Sequence, residues 1–412
     1  MKYGLIGEKL GHSFSKEIHE ELADYQYELV EVAKSDINKF MEEKDFMAIN
    51  VTIPYKETVI PYLSYIDPVA KEIGAVNTIV NKNGKLYGYN TDYLGLKSLI
   101  EKNDINIKNK KVLILGTGGT SKTANTVVRM LGAREVVFVS INNEKNTVTY
   151  DEAIKYHNDA EVIINTTPCG MYPNIDNLII DISSFKLLEA VVDVIYNPLL
   201  TKLLLNTKKR GLKFASGLYM LVAQAVYASG IFINKVFDIA VIDKIYNKIK
   251  SSKENVILIG MPTCGKTTIG KVLSKNLGKK FVDTDSEVEK VLKMPIKEFL
   301  NTGNEKEFRE IEHQVVVDLA KINNQVISTG GGVGIRTDNV DVLKANGIVI
   351  FIDRPLELLG VSNDRPLSSN KKDLEALYNK RYPLYLKEAD IVIKNDKSLE
   401  DVINKILEEV KV

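Results

Sequence analysis

The chain has 412 residues, 44% of them hydrophobic and 26% charged, which is enough for two or three domains that each bury a core. Its 55 Lys and Arg residues nearly balance 54 Asp and Glu residues, and a net charge of +1 argues against general affinity for nucleic acid or anionic lipid. No apolar run approaches the ~20 residues of a membrane span, and the first seven residues lack the apolar core of a signal peptide. We therefore expect a soluble, cytoplasmic protein.

The two cysteines, Cys169 and Cys264, lie far apart, and the four histidines are scattered. No CxxC, HxxxH or HExxH spacing occurs, so the sequence supports neither a disulfide framework nor a structural zinc site.

Short β-branched runs alternate with longer amphipathic segments, which predicts an α/β chain. The predicted strands are Tyr3–Ile6, Ala48–Ile53, Val112–Leu115, Glu135–Val139, Val162–Asn165, Val191–Val194, Val256–Ile259, Val326–Ser328 and Ile348–Ile352.

A polar stretch, NKIKSSKEN at residues 247–255, reads as the tail of a helix followed by a linker. It predicts one folding unit at 1–247, a linker at 248–255 and a second unit at 256–412. Inside the first unit, the apolar helix expected at Gly217–Ser229 would return the chain to its first lobe. The lobes are then 1–100 with 217–247, and 101–216, with a cleft between them.

A glycine-rich turn, GTGGTS, follows the predicted strand Val112–Leu115. Gly116 would permit the tight turn, Gly118 would let a pyrophosphate approach the backbone, and the next helix would supply amide donors. Ser121 stands where the fingerprint has its third glycine, so a plain strand-to-helix turn stays an alternative. After the next strand, Ile141 replaces both the acid typical of NAD sites and the arginine typical of NADP sites.

Eight ordered motifs in residues 1–247 resemble the shikimate dehydrogenase family: HSFS, NVTIPYK, GAVNT, NTD, GTGGT, NTTPCGMYP, DVIYNPLLTKLL and GLYMLVAQA. The resemblance implies a two-lobed fold with a Rossmann-type nucleotide lobe, and a Lys/Asp pair, Lys56 and Asp92, that acts on the carbonyl being reduced. An ammonium group there could supply the proton and stabilise the alkoxide. The implied substrate residues are Ser13, Ser15, Thr52, Asn77, Asp92, Tyr196 and Gln224, and the implied cofactor residues are Gly116, Gly118, Gly119 and Gly217.

Two departures from the family pattern bear on this half. Lys16 stands where proline often follows the second serine, and Ile141 stands at the position of the phosphate-selecting arginine, with Lys145 as the nearest cation. NADP(H) is the cofactor that the resemblance implies, and NAD stays open, as does quinate as an alternative substrate.

The second half begins with a full P-loop, Gly260–Thr267, after a predicted strand and before the predicted helix Thr268–Leu277. Backbone amides at Gly260 and Gly265 would cradle phosphates, Lys266 would reach the β and γ oxygens, and Thr267 would ligate Mg²⁺. This pattern predicts ATP binding, with Thr268 as a further contact. The phosphoryl acceptor is indicated by the carboxylate of Asp285, which suits a hydroxyl group, and by arginines and glycine amides, which suit an anionic group.

The segments GMPTCGKTTIGK, FVDTD, NEKEFREIE, STGGGV, DRPL and RYPLY resemble the shikimate kinase family over residues 254–412. The resemblance implies a P-loop kinase with a parallel sheet, with Asp283 assisting Mg²⁺ and Arg365 reaching the transferred phosphoryl group from a lid. The residues that it implies for shikimate are Asp285, Arg309, Gly331, Gly332 and Arg381. Asn304 departs from the usual glycine, and the lid looks short.

Both resemblances point to one metabolite. We expect a bifunctional enzyme that reduces 3-dehydroshikimate with NADPH and then phosphorylates shikimate with ATP. The alternatives are an NAD- or quinate-using dehydrogenase fused to the kinase, and a metabolite-sensing regulator on the same folds. The sequence indicates no heteromeric partner and leaves a homo-oligomer open.

Overall fold

The computed structural model describes residues 2–11, 13–142, 146–360 and 371–410. The chain forms two compact units, one containing residues up to Asn197 together with Leu203–Ile249, the other Pro198–Lys202 together with residues from Lys250 onward. Both units have the predicted α/β character. In the described part of the chain, no helix is long and apolar enough to cross a membrane.

The first lobe contains a mixed sheet with the order β2-β1-β3-β5-β6-β4. Its strands are β1 (Tyr3–Gly7), β2 (Tyr27–Glu31), β3 (Ala48–Val51), β4 (Tyr65–Ile66), β5 (Thr78–Lys82) and β6 (Lys85–Tyr89). Its helices are α1 (Ser15–Leu22), α2 (Ile37–Glu43), α3 (Pro68–Ile73) and α4 (Thr91–Lys102). β1, β2 and β3 run parallel, whereas β5 is antiparallel to β3 and to β6.

Strand β3 is shorter than predicted, because Thr52 and Ile53 belong to the turn that follows it. The hairpin of β5 and β6 turns at Asn83 and Gly84, with φ of 53° and 80°. An Asn-Gly pair suits this left-handed turn because both residues tolerate positive φ. The hairpin brings the start of β5 and the end of β6 to the edge where β1 and β3 end.

The second lobe is an all-parallel sheet with the order β12-β11-β10-β7-β8-β9. Its strands are β7 (Lys111–Leu115), β8 (Glu135–Val139), β9 (Thr147–Val148), β10 (Val162–Asn165), β11 (Ala190–Asp193) and β12 (Lys213–Ser216). The helices are α5 (Gly119–Met130), α6 (Tyr150–Tyr156) and α7 (Lys202–Lys209). The central strands β7, β10 and β11 are fully buried, as expected where helices cover both faces of a sheet.

Two long helices complete the first unit, α8 (Leu218–Ile233) and α9 (Ile239–Lys253). α8 packs on α4 and α1 of the first lobe. The segment predicted as a linker, 248–255, is mostly helical: α9 continues to Lys253, and the next strand begins at Asn255. The Lys279 ammonium stabilises the last turn of this helix, because it donates hydrogen bonds to the carbonyls of Ser251 and Glu254 at the end of α9.

His19 is a buried histidine that joins α1 to its neighbours. Its ring stacks on Tyr27 with centroids 4.0 Å apart, and Nδ1 lies 2.7 Å from the Tyr25 hydroxyl, which donates to Ser229 on α8. Burial lowers the pKa of His19 to about 3, from an ordinary value of 6.5. The histidine is therefore neutral in the folded lobe across most of the acid range.

This burial predicts acid sensitivity of the first lobe. Between pH 6.5 and about 3 the unfolded chain binds a proton at His19 that the folded lobe does not, so stability falls as the pH is lowered. We expect about 2 kcal/mol of loss from this group between pH 6.5 and 5.0. Hydrogen exchange of peptides from β1–β3 measures it, and His19→Phe, which keeps the aromatic ring, should flatten the pH slope. An unchanged slope in that variant would contradict the assignment.

The second unit is a parallel sheet with the order β14-β15-β13-β16-β17. The strands are β13 (Asn255–Ile259), β14 (Lys280–Asp283), β15 (Gln325–Ser328), β16 (Gly347–Asp353) and β17 (Ile391–Lys394). The helices are α10 (Lys266–Leu277), α11 (Thr284–Leu292), α12 (Ile296–Asn301), α13 (Glu305–Ala320), α14 (Thr337–Lys344), α15 (Lys371–Glu388) and α16 (Leu399–Val410). The central strand β13 is buried along its whole length and leads directly into the P-loop.

Candidate active sites

One edge of the first sheet collects the predicted substrate residues of the first unit. Ser13 and Thr52 follow the parallel strands β1 and β3, Asn77 precedes the antiparallel β5, and Asp92 follows β6. Because these strand ends meet at the same edge, residues far apart in sequence become neighbours. Gly7 permits the close packing here, since a Cβ on it would lie 2.6 Å from Cγ2 of Thr52.

Lys56 and Asp92 form an ion pair at this edge, with Nζ 2.6 Å from Oδ2. Their side chains are only 15% and 11% exposed, so the pair is shielded from bulk solvent. Asp92 stands in the first turn of α4, whose N-cap is Asn90. The pair therefore has the donor and the carboxylate that proton transfer to a carbonyl oxygen needs.

Asn77 and Gln224 lie beside the pair. The Asn77 side chain donates to Thr91 Oγ1 at 3.1 Å and accepts from the Thr91 amide at 2.7 Å. Gln224 Oε1 is 3.5 Å from both Asn77 Nδ2 and Thr91 Oγ1. The structure thus brings Asn77, Gln224 and Asp92 together, through a Thr91 that the motif analysis did not single out.

Gly95 makes this arrangement sterically feasible. A Cβ on Gly95 would lie 2.7 Å from the Met220 carbonyl oxygen and 3.0 Å from Cβ of Gln224. A side chain at this position would therefore push α8 away from α4 and move Gln224. Sequence reasoning missed Gly95 because its constraint comes from a helix more than 120 residues further along the chain.

Ser13 and Ser15 stand together at the entrance to α1. Ser13 donates to Ser15 Oγ at 3.0 Å and accepts from the Ser15 amide. Phe14, between them, contacts Tyr196 with ring centroids 5.3 Å apart. Burial raises the pKa of the Tyr196 hydroxyl, which keeps it a neutral hydrogen-bonding group. These contacts place Tyr196 beside the two serines.

The glycine-rich turn has the form expected of a pyrophosphate cradle. Gly116 has φ of 107°, which favours glycine, and a Cβ there would come within 2.9 Å of Cγ2 of Thr167. Gly118 is the N-cap of α5, and neither it nor Gly119 has any atom within 4 Å of the place a Cβ would take. Open space thus lies beside a helix N-terminus, where amides favour an anion.

Three further residues bear on the cofactor site: Ile141, Lys145 and Gly217. Ile141 follows β8 and is 83% exposed, so a hydrophobic side chain faces solvent at the position that usually reads the cofactor ribose. Lys145 lies outside the described residues. Gly217 is the N-cap of α8, and a Cβ on it would collide with the Val194 carbonyl, so close backbone packing explains this glycine.

In the second unit, Lys266 lies inside the P-loop. Its Nζ donates to the carbonyls of Gly260 and Met261 at 3.0 and 2.9 Å, and the residue is 6% exposed. No carboxylate among the described residues forms an ion pair with it. The Cys264 sulfur lies 3.7 Å from the same nitrogen. A buried ammonium held by carbonyl oxygens and a sulfur, without a carboxylate, is suited to an incoming anion. Gly265, with φ of 96°, leads into α10, where Thr268 is exposed in the first turn.

A cluster of oxygen atoms lies next to the P-loop. Thr267 Oγ1 donates to Asp283 Oδ2 at 3.0 Å and lies 3.3 Å from Ser328 Oγ. Hydroxyl and carboxylate oxygens are ligands that Mg²⁺ accepts, with water and phosphate completing its shell. The donor set therefore fits Mg²⁺. Within the described ranges no group of three or more His, Cys, Asp or Glu side chains could hold a metal by itself.

Three consecutive glycines each face one predicted acceptor side chain. A Cβ on Gly330 would collide with the Asp285 carboxylate, and one on Gly332 would collide with the Arg309 guanidinium. A Cβ on Gly331 would lie 2.8 Å from Nη1 of Arg381. The glycines therefore let the backbone lie directly against these three side chains.

The three side chains line one cavity of about 700 Å³. Arg309 is already paired there, with Nη1 2.9 Å from Oε2 of the buried Glu312. Arg381, 7% exposed, donates to the Gly331 carbonyl and forms no ion pair with any described residue. Arg381 is thus the better placed of the two for a carboxylate ligand. Glu312 and Ser328 lie within the motifs NEKEFREIE and STGGGV, but sequence reasoning gave them no role, because their contacts with Arg309 and Thr267 are formed only in the fold.

One predicted catalytic residue, Arg365, lies outside the described residues. The other predicted residues of this unit lie at the P-loop, in the first turn of α10, at the oxygen cluster or on the cavity.

Comparisons with known proteins relate the two parts of the chain to two enzyme families. The family model "Shikimate dehydrogenase substrate binding domain" matches residues 5–79, and the model "Shikimate kinase" matches residues 262–411. A Clostridium perfringens protein named shikimate dehydrogenase (NADP(+)) is 41% identical over 266 residues, which cover 60% of this chain and 98% of that protein.

Solved structures of shikimate dehydrogenases match about 60% of the chain. Shikimate dehydrogenase 1 from Peptoclostridium difficile is 36% identical with a TM-score of 0.56, covering 60% of this chain and 98% of that one. The Thermus thermophilus shikimate 5-dehydrogenase, solved in complex with NADP(H) and shikimate, is 25% identical with a TM-score of 0.54, covering 60% and 99%.

Proposed function

We propose that this chain, which belongs to the shikimate dehydrogenase family and ends in a shikimate kinase domain, catalyses two consecutive reactions on one metabolite. The first is reduction of 3-dehydroshikimate to shikimate with NADPH. The second is transfer of the ATP γ-phosphoryl group to shikimate, which gives shikimate 3-phosphate. The observation that carries the proposal is the presence of two sets of reactive side chains in one chain, the Lys56–Asp92 pair and the P-loop with its oxygen cluster.

In the first reaction, NADPH supplies the hydride. Lys56 donates a proton to the carbonyl oxygen as negative charge develops on it, and a cation within hydrogen-bond reach stabilises the alkoxide. Asp92 holds the Lys56 ammonium in place through the 2.6 Å bond and offers its second oxygen to a substrate hydroxyl. Asn77, Gln224 and Tyr196 then orient the remaining hydroxyl and carboxylate groups.

In the second reaction, Thr267 and Asp283 are the residues that would hold Mg²⁺, which would neutralise charge on the ATP phosphates. Lys266 leaves the P-loop carbonyls for the phosphate oxygens and stabilises the charge that moves during transfer. Asp285 accepts the proton of the attacking hydroxyl, since its carboxylate lies in the acceptor cavity. Arg381 binds the shikimate carboxylate, with Arg309 beside it, and Arg365 is proposed to reach the phosphoryl group.

The cofactor is proposed to be NADP(H), which the names of the relatives support. The exposed Ile141 offers no charged or polar group that would distinguish NADP(H) from NAD(H). Initial rates of shikimate oxidation should be higher with NADP⁺ than with NAD⁺, and quinate should react slowly. Ile141→Arg should lower the KM for NADP⁺ about tenfold and leave that for NAD⁺ unchanged, because a guanidinium pairs with the 2′-phosphate. Ile141→Gln, of similar length and uncharged, is the control.

Two results would redirect the proposal. Preference for NAD⁺ in the wild-type chain would keep the chemistry and change the cofactor. Faster turnover of quinate than of shikimate would change the substrate and would remove the metabolic link between the two halves.

A further inference from the structure

We infer that Asp193 is a positioning residue that holds the cofactor side and the substrate side of the dehydrogenase site in one arrangement, an inference that rests on the function proposed above. Asp193 ends β11, and its neighbour in the sheet register, Asn165, ends β10. Both residues are completely buried. A carboxylate in such a place needs hydrogen-bond donors, and the donors it uses lead to two different parts of the site.

The first donor, the Asn165 side chain, connects Asp193 to the glycine-rich turn that begins at Gly116. Asn165 Nδ2 donates to Asp193 Oδ1 at 3.1 Å, which fixes the amide so that its oxygen faces Thr167. That oxygen accepts from the Thr167 amide at 3.0 Å and from its hydroxyl at 2.8 Å. Thr167 in turn packs against Gly116, the first glycine of the proposed pyrophosphate cradle. The position of the Thr167 side chain beside Gly116 thus depends on Asn165 and, through Asn165, on Asp193.

The second donor leads to the substrate residues. The amide of Ile195 donates to the same Asp193 oxygen, also at 3.1 Å. The Ile195 carbonyl accepts from Gly217 at the start of α8, so Ile195 is fixed on both sides. The next residue is Tyr196, whose ring contacts Phe14 between the two serines. The direction of Tyr196 therefore follows from the Asp193–Ile195 hydrogen bond.

One buried oxygen atom, Oδ1 of Asp193, thus accepts both hydrogen bonds. Its removal would leave two buried donors without an acceptor and would free both loops. The charge of Asp193 also acts on the loop that follows β10. Burial and, to a smaller extent, the negative charge of Asp193 raise the pKa of the Cys169 thiol in that loop. Lys56 and Asp92 are held by other elements, so the reacting groups themselves would stay in place.

Steady-state kinetics of the full chain with NADP⁺ and shikimate test the inference. Asp193→Ala should raise the KM for both NADP⁺ and shikimate roughly tenfold, with a much smaller change in kcat. Asn165→Ala should raise the KM for NADP⁺ only, since the bond to Ile195 survives. Asp193→Asn, which keeps Oδ1, should stay near wild type. Asp181→Ala, at an exposed carboxylate that caps a short turn, is the matched control.

The kinase rate of each preparation reports the amount of folded second unit, and hydrogen exchange of peptides from β10 and β11 reports whether the first unit, which carries the substitutions, is folded. Unchanged KM values in Asp193→Ala would overturn the inference, as would a KM for NADP⁺ that stays at the wild-type value in Asn165→Ala. The KM of Asn165→Ala for NADP⁺ tests the inference even where Asp193→Ala fails to fold. Inactivity of the wild-type chain in the same assay would instead count against the proposed function.

Discussion

Replacement of Lys56 by alanine is expected to lower kcat for shikimate oxidation by roughly 10³-fold, while phosphorylation of shikimate by the same chain continues at the wild-type rate. The loss is large because Lys56 has two tasks in the proposed reaction. It exchanges a proton with the reacting oxygen, and its charge stabilises the alkoxide in a shielded site. A water molecule could replace the proton transfer but not the fixed charge.

The measurement is a pair of initial rates on one preparation, NADP⁺ reduction with shikimate and ADP release with shikimate and Mg·ATP. Lys71→Ala is the control, because Lys71 is an exposed lysine of the same lobe, in the last turn of α3. A Lys56→Ala variant with more than a tenth of wild-type oxidation would show that the ion pair is structural. Equal loss of both activities would argue against two independent active sites.

The reverse result is expected for Lys266→Ala. Phosphorylation should fall by roughly 10³-fold, and shikimate oxidation should remain at the wild-type rate. In the folded chain the Lys266 ammonium is buried against two loop carbonyls, and the phosphates of ATP are the charge partners that the described residues do not provide. Without this group, charge on the transferred phosphoryl would be balanced by Mg²⁺ and the remaining cations alone.

Lys275→Ala is the matched control, since Lys275 lies near the end of the same helix and is exposed. ADP release with shikimate and Mg·ATP is again the readout. If phosphorylation persists in Lys266→Ala at a rate comparable to that of the control, the P-loop does not act as the phosphoryl-transfer site.

Local patterns in the sequence predicted the parts of the site whose chemistry is local. The P-loop is an example, because Gly260, Gly265, Lys266 and Thr267 act through the strand and helix that flank them. The strands before both glycine-rich turns were predicted within one residue of the structure at each end. Buried strands of a parallel sheet are short apolar runs, and such runs are easy to recognise.

Features that depend on neighbours in space were missed. Nothing around Gly95 indicates that α8 crosses it, and nothing around Asp193 indicates that its oxygen joins two loops. The β5–β6 hairpin was different, since the Asn83-Gly84 pair carries a recognisable turn signal that went unused. The segment 248–255 stays a predicted boundary between the two units, but its helical tail extends further than its polar composition indicates: α9 continues to Lys253, and Lys279 donates hydrogen bonds to the carbonyls of Ser251 and Glu254.

The most direct test of the central claim follows the two reactions in sequence on a single purified chain. The wild-type protein receives 3-dehydroshikimate, NADPH and Mg·ATP, and the products are separated by mass spectrometry. The account predicts NADPH oxidation followed by formation of shikimate 3-phosphate, with ADP released in equal amount. Accumulation of shikimate without any phosphorylated product, or no NADPH oxidation at all, would contradict it.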